Sequence, residues 1–240
     1  MGVLSPDGRC RAFDARANGF VRGEGVGAIL LRPLRDALAS GDQIYATIVA
    51  TGTNQDGRTR GLALPSRESQ VALLRSTCQQ AGVSPQDIVY VEAHGTGTAV
   101  GDPVEAAALG EVFGSGRDPG QELLIGSIKT NIGHLEAGAG IAGIIKCALC
   151  LKHGAAPPNL HFEHPNPAID FQRWRLKVPT QVEPFPLLPN NGHPAHWLAG
   201  VNSFGFGGSN AFALLRSPGR LHHISNADKD FEQVVLVPTR

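Results

Sequence analysis

Short apolar runs and stretches with helical spacing alternate along most of the chain. Apolar runs that are rich in β-branched residues and bounded by Gly, Pro or polar residues predict strands. The predicted strands are 26–31, 44–50, 89–92, 123–128, 198–204 and 211–215, with a brief one near Leu176. Apolar residues three and four positions apart predict helices at 34–40, 66–81, 102–113 and 135–153. This alternation predicts an α/β protein.

The last predicted helix, 135–153, is apolar on nearly all sides and contains several glycines and alanines. A helix of this composition is expected to be buried and closely packed. Prolines then interrupt the chain as far as residue 194, which predicts irregular structure there. After the last two predicted strands, residues 217–240 are polar and unpatterned. We therefore predict a packed region over 1–216 and a linker over 217–240.

Two histidines occupy matching places in this pattern, each soon after a predicted strand. His94 leads into a Gly/Thr-rich turn, and His134 stands at the start of the helix 135–153. In open α/β sheets, sites form beyond the carboxyl ends of the strands, so we expect both rings to face one pocket. The helix dipole is expected to keep His134 neutral, so that it can hydrogen-bond to an oxygen that becomes negative. A lone histidine is more often a buried polar group bonded to backbone.

Three motifs resemble those of the β-ketoacyl synthase (ketosynthase) family. They are EAHGTGT at 92–98, KTNIGH at 129–134 and NSFGFGGSN at 202–210. The loop NQDG at 54–57 is usual in type I polyketide synthases, to which type I fatty acid synthases are close. The resemblance implies a thiolase-like fold, layered α-β-α-β-α, of which this chain is mainly the C-terminal half. It also implies that the linker leads toward a following domain.

The resemblance implies decarboxylative Claisen condensation. A malonyl-type thioester on acyl carrier protein loses CO₂, and its enolate carbon attacks an acyl group held on a cysteine. In the family's pattern, His94 and His134 donate hydrogen bonds to the enolate oxygen, and Lys129 gives electrostatic support. Phe206 corresponds to a gating phenylalanine whose backbone amide helps to hold the acyl carbonyl oxygen, with Phe204 beside it. Without the two histidine motifs, the preferred interpretation is a glycine-rich hairpin turn with both phenylalanines as core residues.

The family's nucleophilic cysteine lies in a DTACSS-type motif that these 240 residues do not contain. The chain is therefore expected to lack the acylated residue and to be inactive by itself. None of its four cysteines has the required context: Cys10, Cys78, Cys147 and Cys150.

Three functions remain open. The first is the second half of an active polyketide or fatty acid ketosynthase. The second is a thiolase-type acyltransferase, although such enzymes are expected to have a late cysteine in a Gly-rich turn, which the region around Phe206 lacks. The third is a non-catalytic ketosynthase-like remnant or partner chain, although such partners often lose one histidine, whereas His94 and His134 are both present.

Other chemical patterns have structural explanations. Asp102 and Glu105 flank a helix start in the spacing of a reciprocal capping box, which outweighs a catalytic role. The glycines of 138–143 fit a dinucleotide-binding string, but no strand directly precedes them. Seven other histidines and cysteines lie in an apolar helix or an irregular stretch and have no spacing typical of a metal-ligand or redox set: Cys147, Cys150, His153, His161, His164, His193 and His196.

The charge balance narrows the choice of partners. Lys+Arg number 21 and Asp+Glu number 21, so no basic field favours nucleic acid or an anionic membrane. The chain shows no signal-peptide pattern and no apolar run of membrane-spanning length, which predicts a soluble cytoplasmic protein without structural disulfides. The resemblance implies acyl carrier protein, a homodimer and a neighbouring acyltransferase domain as partners. It implies no cofactor or metal in this domain, the substrates being carried on phosphopantetheine.

Overall fold

A central mixed sheet organises the chain in the computed structural model, which describes residues 3–59, 61, 64–186, 196–218 and 234–237. The helices are α1 Leu34–Ala39, α2 Arg67–Ala81, α3 Gly101–Leu109, α4 Lys129–Ile132 and α5 Ala139–His153. The strands are β1 Leu30–Pro33, β2 Ala46–Gln55, β3 Ile88–Glu92, β4 Leu123–Gly126, β5 Ala155–Ala156, β6 Leu176–Lys177, β7 Glu183–Pro184, β8 Leu198–Phe204, β9 Ser209–Arg216 and β10 Val234–Val237.

The eight-stranded sheet has the order β1-β10-β2-β9-β8-β3-β4-β6. Neighbouring strands in the series β1, β10, β2, β9 and β8 pair antiparallel. The strands β8, β3, β4 and β6 run parallel to one another. Parallel strands place their carboxyl ends at the same edge of a sheet, where ligand sites commonly form. The segments that follow β3, β4 and β8 therefore meet at this edge.

Both faces of the sheet are covered by helices. On one face, α2 and α3 pack Leu74 and Leu109 against the sheet residues Val91 and Phe212. On the other face, α5 packs against the opposite side chains of the same strands, among them Tyr90, Ala199 and Leu215. Close approach of α5 depends on Gly143, because a Cβ atom there would lie 3.1 Å from Val201 Cγ1. The α/β prediction is confirmed. The predicted helix is present and packs closely at Gly143, but it is only partly buried, since Leu149 is 40% exposed.

The local signals at α2 and at the β8–β9 hairpin predicted those elements closely. The Ser66 hydroxyl accepts the N–H of Ser69 at the start of α2, and Gly82 ends the helix in the left-handed conformation. The strands β8 and β9 pair antiparallel around the predicted turn. These elements were predictable because caps and turns act between residues that are near in sequence.

Two predicted strand boundaries are wrong. The run 26–31 is not a buried strand: β1 begins only at Leu30, and the Val26 side chain is fully exposed. The preceding segment instead lies over α5, since a Cβ on Gly27 would be 2.8 Å from Ile141 Cγ2. Conversely, β2 continues to Gln55 through residues predicted as loop, because they pair with β9.

The predicted capping box at the start of α3 is also wrong. The helix begins at Gly101, and the Asp102 carboxylate accepts N–H bonds from Phe13 at 2.7 Å and from Gly97 at 3.1 Å. Burial raises the pKa of Asp102 to about 7, against the effect of these amides. The α-helix ends at Leu109 and continues as a wide turn through Gly114. The structural role predicted for Asp102 holds, but it joins distant segments rather than capping its own helix.

The segment 217–240, predicted as a linker, contains the strand β10. The strand β10 lies between β1 and β2, while 219–233 and 238–240 are outside the described residues. The stretch 157–186 is irregular apart from β6 and the short β7, as predicted. Residues 187–195, which include His193, also lie outside the described residues. No helix in the described part of the chain is long and apolar enough to cross a membrane.

Candidate active site

The two predicted histidines meet at the edge where β3, β4 and β8 end. The ring centroids of His94 and His134 are 5.8 Å apart, with the ring planes 80° from one another. Phe204, the last residue of β8, packs its ring 5.7 Å from that of His94, and Phe20 lies 5.0 Å from His134. The predicted convergence of the two rings is therefore confirmed.

The hydrogen bonds of His94 define which ring nitrogen carries a proton. Its Nδ1 accepts the backbone N–H of Phe204 at 3.3 Å, so Nδ1 is unprotonated and the proton of the neutral ring is on Nε2. Burial lowers the pKa of His94 well below its usual value, and the positive charge of Lys129 adds to the effect. His94 is therefore a neutral hydrogen-bond donor through Nε2.

His134 has the same arrangement, although its surroundings differ from the prediction. Its Nδ1 accepts the backbone N–H of Glu136 at 2.9 Å, which again leaves the proton on Nε2. The helix α5 begins only at Ala139, after a 3-10 turn, so His134 is not at its N-terminus. Burial lowers the pKa of His134, and Lys129 lowers it further. Burial and a neighbouring cation, rather than the helix dipole, therefore favour the neutral ring.

Lys129 lies behind the histidines at the start of α4 and is only 5% exposed. Burial lowers the pKa of its ammonium, while the carboxylates of Glu92 and Glu105 act in the opposite direction. Lys129 in turn lowers the pKa of both histidines. Its charge therefore favours the two neutral imidazoles.

Glu105 is a supporting residue that the sequence did not indicate as part of the site. Its carboxylate accepts the backbone N–H groups of His94 at 2.7 Å and Gly95 at 2.8 Å, and the Asn202 side chain at 2.8 Å. Burial raises the pKa of Glu105, whereas these donors and Lys129 lower it. Glu105 thereby fixes the loop that carries His94. Its spacing to Asp102 indicated only a local helix cap. The contact with Asn202 could not be predicted from neighbouring residues, because Asn202 is 97 residues away.

The two phenylalanines of the third motif have different environments. Phe204 is partly buried beside His94, whereas the Phe206 side chain lies in the β8–β9 turn and is 59% exposed. Among the described residues, the ring contacts of the histidines are with Phe20, Phe204 and each other. An open depression of about 560 Å³ beside this turn is lined by β2, β8 and β9 residues and by neither histidine. The structure thus places Phe204, but not the Phe206 ring, at the pair of histidines.

The four cysteines are all buried and lack the features of a nucleophile. Burial raises the pKa of each thiol, to about 11 for Cys78 and to about 12 for Cys150. Cys10 is tied to backbone, since its Sγ accepts the N–H of Val21 at 3.1 Å. A thiol must be deprotonated to attack a thioester, so none of the four is activated.

We therefore predict that this 240-residue polypeptide forms no acyl-enzyme on its cysteines. After incubation with an acyl thioester at neutral pH, intact-mass measurement is expected to show unmodified protein. Iodoacetamide treatment of the urea-unfolded protein serves as the control, because it must label all four thiols. A stoichiometric acyl adduct on any of them in the folded protein contradicts the prediction.

No group of three or more His, Cys, Asp or Glu side chains is arranged to hold a metal ion within the described ranges. The Cys147 thiol instead contacts the carbonyl oxygen of Gly200 at 3.8 Å. Both Cys147 and Cys150 pack in the core between α5 and the sheet.

Comparison with family models covers nearly the whole chain. Residues 1–37 match the β-ketoacyl synthase N-terminal domain, and 45–163 match the C-terminal domain of the same family. Residues 165–240 match the ketoacyl-synthetase C-terminal extension, a match that runs through the segment predicted as a linker.

Curated relatives are large synthases. The chain is 49% identical over 240 residues to the hybrid PKS-NRPS synthetase pyvA of Aspergillus violaceofuscus, covering 99% of this chain and 6% of that protein. It is 54% identical over 216 residues to a subunit of the phenolphthiocerol/phthiocerol polyketide synthase of Mycobacterium tuberculosis, covering 90% of this chain and 11% of that protein. The chain thus spans only a small part of the relatives that it matches.

Solved structures agree with the sequence matches. The ketosynthase from module 6 of the bacillaene synthase of Bacillus subtilis superposes with a TM-score of 0.86 and 44% identity, over 92% of this chain and 38% of that one. The oxazolomycin ketosynthase domain of Streptomyces albus gives a TM-score of 0.86 and 37% identity, over 93% and 39% of the two chains. The chain therefore belongs to the β-ketoacyl synthase family and contains the C-terminal portion of a polyketide synthase ketosynthase domain.

Proposed function

We propose that this chain supplies the decarboxylation site of a 3-oxoacyl-[acyl-carrier-protein] synthase. One observation carries the proposal: His94 and His134 each accept a backbone N–H at Nδ1, so two adjacent neutral rings present Nε2–H donors. Two such donors suit an oxygen that gains negative charge during the reaction. This family relationship supports a condensing, acyl-transferring enzyme rather than a redox or nucleic-acid-binding protein.

The proposed reaction begins with a malonyl-type thioester. Its bond between the α-carbon and the carboxylate breaks, CO₂ leaves, and the electron pair of that bond forms an enolate of the thioester. Negative charge then lies on the thioester oxygen, where His94 and His134 donate their hydrogen bonds. Each donor of this kind typically lowers a barrier by ~2.7–4 kcal/mol. In each ring Nδ1 accepts a backbone N–H, so the proton of the neutral ring is on Nε2 and can be donated to this oxygen.

The enolate carbon then attacks the carbonyl carbon of an acyl thioester, and the cysteine thiolate leaves. In this proposal the acyl group is held on a cysteine that is not one of the four in the chain. Lys129 takes no covalent part: it keeps the histidines neutral and favours the negatively charged enolate. Phe206 acts as a gate, for which the turn with glycines on both sides is suited, and Phe204 holds the His94 ring.

The proposal also names the partners with which this synthase acts. The malonyl and acyl groups arrive on the phosphopantetheine of acyl carrier protein, and no cofactor is used in this domain. The synthase acts in the cytoplasm as a homodimer through its ketosynthase, next to an acyltransferase domain. A polyketide pathway is favoured over fatty acid synthesis, since the relatives at about half identity are polyketide synthases.

Release of CO₂ from a malonyl thioester tests the proposed function. The assay uses the full natural polypeptide in which this sequence occurs, with malonyl-pantetheine labelled at the free carboxylate. We expect catalysed release of labelled CO₂ even after the thiols are blocked, because decarboxylation needs the histidine donors and not an acyl-cysteine. Release at the rate of the uncatalysed reaction would overturn the proposal.

The pH dependence of this decarboxylation follows from the histidine environments. Burial and Lys129 lower the pKa values of His94 and His134 below their usual 6.5, so both rings stay neutral to lower pH than a free imidazole. We expect the rate to remain constant as the pH falls to 6.5 and to decline only below it. Initial rates between pH 5 and 8, with the CO₂ yield corrected for bicarbonate, check this result. A midpoint above 6.5 would show that the rings are not held neutral.

A further inference from the structure

A buried carboxylate with three partners lies directly behind the histidines. Glu92 is 1% exposed, and its Oε1 accepts the backbone N–H of Ile128 at 2.6 Å. Its Oε2 accepts the Tyr90 hydroxyl at 2.6 Å and pairs with the Lys146 ammonium at 2.8 Å. The mechanism proposed above uses neither Glu92 nor Lys146.

These contacts join the three elements that surround the site. Glu92 is the last residue of β3, two positions before His94, and Ile128 immediately precedes α4, which begins with Lys129. Lys146 belongs to α5 on one face of the sheet. The Glu92 carboxylate therefore bonds the loop between β4 and α4 to the end of β3, while the Asn159 side chain accepts the Ser127 N–H of the same loop at 2.9 Å. A shift of this loop would move Lys129 and His134 together.

Burial makes the pairing with Lys146 a requirement of this arrangement. A buried carboxylate without a cation carries a large desolvation penalty, so removing one partner of a buried ion pair is strongly destabilising. Tyr90 cannot replace the cation, because a phenol donates a hydrogen bond to Glu92 but carries no positive charge. The Lys146 side chain is 11% exposed and that of Glu92 is 2% exposed, so water screens the pair little.

The surrounding charges couple this pair to Lys129. The charged or ionisable groups around Glu92 are on three elements: Tyr90 on β3, Lys129 on α4, and Lys146, Cys147 and Cys150 on α5. Glu92 raises the pKa of Lys129, whereas Lys146 lowers it. The positive charge of Lys146 thus partly offsets the attraction between Glu92 and the Lys129 ammonium.

We propose that Glu92 and Lys146 form a positioning pair for the proposed decarboxylation: Glu92 holds the β4–α4 loop through the Ile128 amide, and Lys146 neutralises Glu92 so that Lys129 remains directed to the histidines. Neither residue touches the substrate. This inference rests on the proposed function, because it assigns the pair to the site formed by His94 and His134.

The test replaces each member of the pair in the full natural polypeptide. Lys146→Met and Glu92→Gln are each expected to lower kcat for CO₂ release from malonyl-pantetheine by ~10- to 100-fold with little change in KM, because misplacement of catalytic groups affects mainly the chemical step. Lys177→Met is the matched control: Lys177 pairs with Glu183 at 2.8 Å but is 46% exposed. The control is expected to keep the rate of the unmodified protein.

The pH profile separates positioning from a general loss of packing. The charged groups that face His134 are Lys129, Glu136 and Arg22, and the charged or titratable groups that face His94 are Lys129 and His134. Removal of the Lys146 charge is expected to move the acidic midpoint of the rate to higher pH, and removal of the Glu92 charge is expected to move it to lower pH. The double variant, which removes both charges, is expected to return the midpoint toward that of the unmodified protein.

Amide hydrogen exchange at Ile128 gives a readout that does not need activity. Its exchange is expected to increase in Glu92→Gln and Lys146→Met and to stay unchanged in Lys177→Met. If the unmodified protein releases CO₂ but the pair variants match the control in rate, pH midpoint and exchange, the positioning inference is wrong and the proposed function stands. If the unmodified protein does not release CO₂, the proposed function fails and the inference fails with it, even where Ile128 exchange changes.

Discussion

Replacement of His94 by alanine is expected to lower the rate of malonyl-thioester decarboxylation by ~100- to 1000-fold. The loss corresponds to one hydrogen-bond donor to the enolate oxygen, typically ~2.7–4 kcal/mol of barrier. The neutral ring of His94 presents that donor at Nε2, since its Nδ1 already accepts the Phe204 N–H. Because the donor acts on charge that develops during the reaction, kcat is expected to fall and KM to change little.

His134→Ala is expected to have an effect of similar size, and the double variant is expected to lose less than the product of the two single losses. The two rings lie 5.8 Å apart and, in the proposed mechanism, donate to one oxygen, so their effects are not expected to be independent. His153→Ala is the control, because His153 is exposed at the end of α5. Rates are measured as labelled CO₂ release in the full natural polypeptide. Retention of the unmodified rate by either single variant would remove that histidine from the mechanism.

Glu105→Ala is expected to loosen the loop that carries His94. The substitution removes the acceptor from three buried donors: the amides of His94 and Gly95 and the Asn202 side chain. A buried donor that loses its acceptor costs ~1–3 kcal/mol, and we expect about 3 kcal/mol in total after local relaxation. This corresponds to an increase of ~100-fold in the opening equilibrium at His94 and Gly95.

Amide hydrogen exchange measured by mass spectrometry on peptides covering 93–98 checks this result. Glu105→Gln keeps one side-chain acceptor and is expected to give a smaller increase in exchange. Glu163→Ala is the surface control, because the Glu163 side chain is 62% exposed and its ion pair with Arg16 is expected to contribute little. Unchanged exchange of the His94 amide in Glu105→Ala would show that Glu105 does not hold this loop.

The sequence predicted elements whose signals are local and failed where distant contacts decide. Ser66 and Gly82 bound α2 because a cap and a left-handed glycine act within one helical turn. The run around Val26 resembles a buried strand in composition, but a strand also needs a pairing partner, and this segment lies on α5 instead. Asp102 has the spacing of a helix cap, but its carboxylate instead accepts the backbone N–H of Phe13, which is 89 residues away.

The sequence by itself determined the family, the alternation of strands and helices, and the identities of His94, His134 and Lys129, because motifs and periodicity are properties of neighbouring residues. Only the tertiary structure decided that His94 carries its proton on Nε2 and which residues support the two rings. Those features rest on hydrogen bonds from Phe204 to His94 across 110 residues and from Ile128 to Glu92 across 36. Such contacts exist only after β3, β4 and β8 align in parallel, since that alignment brings their carboxyl ends to one edge of the sheet.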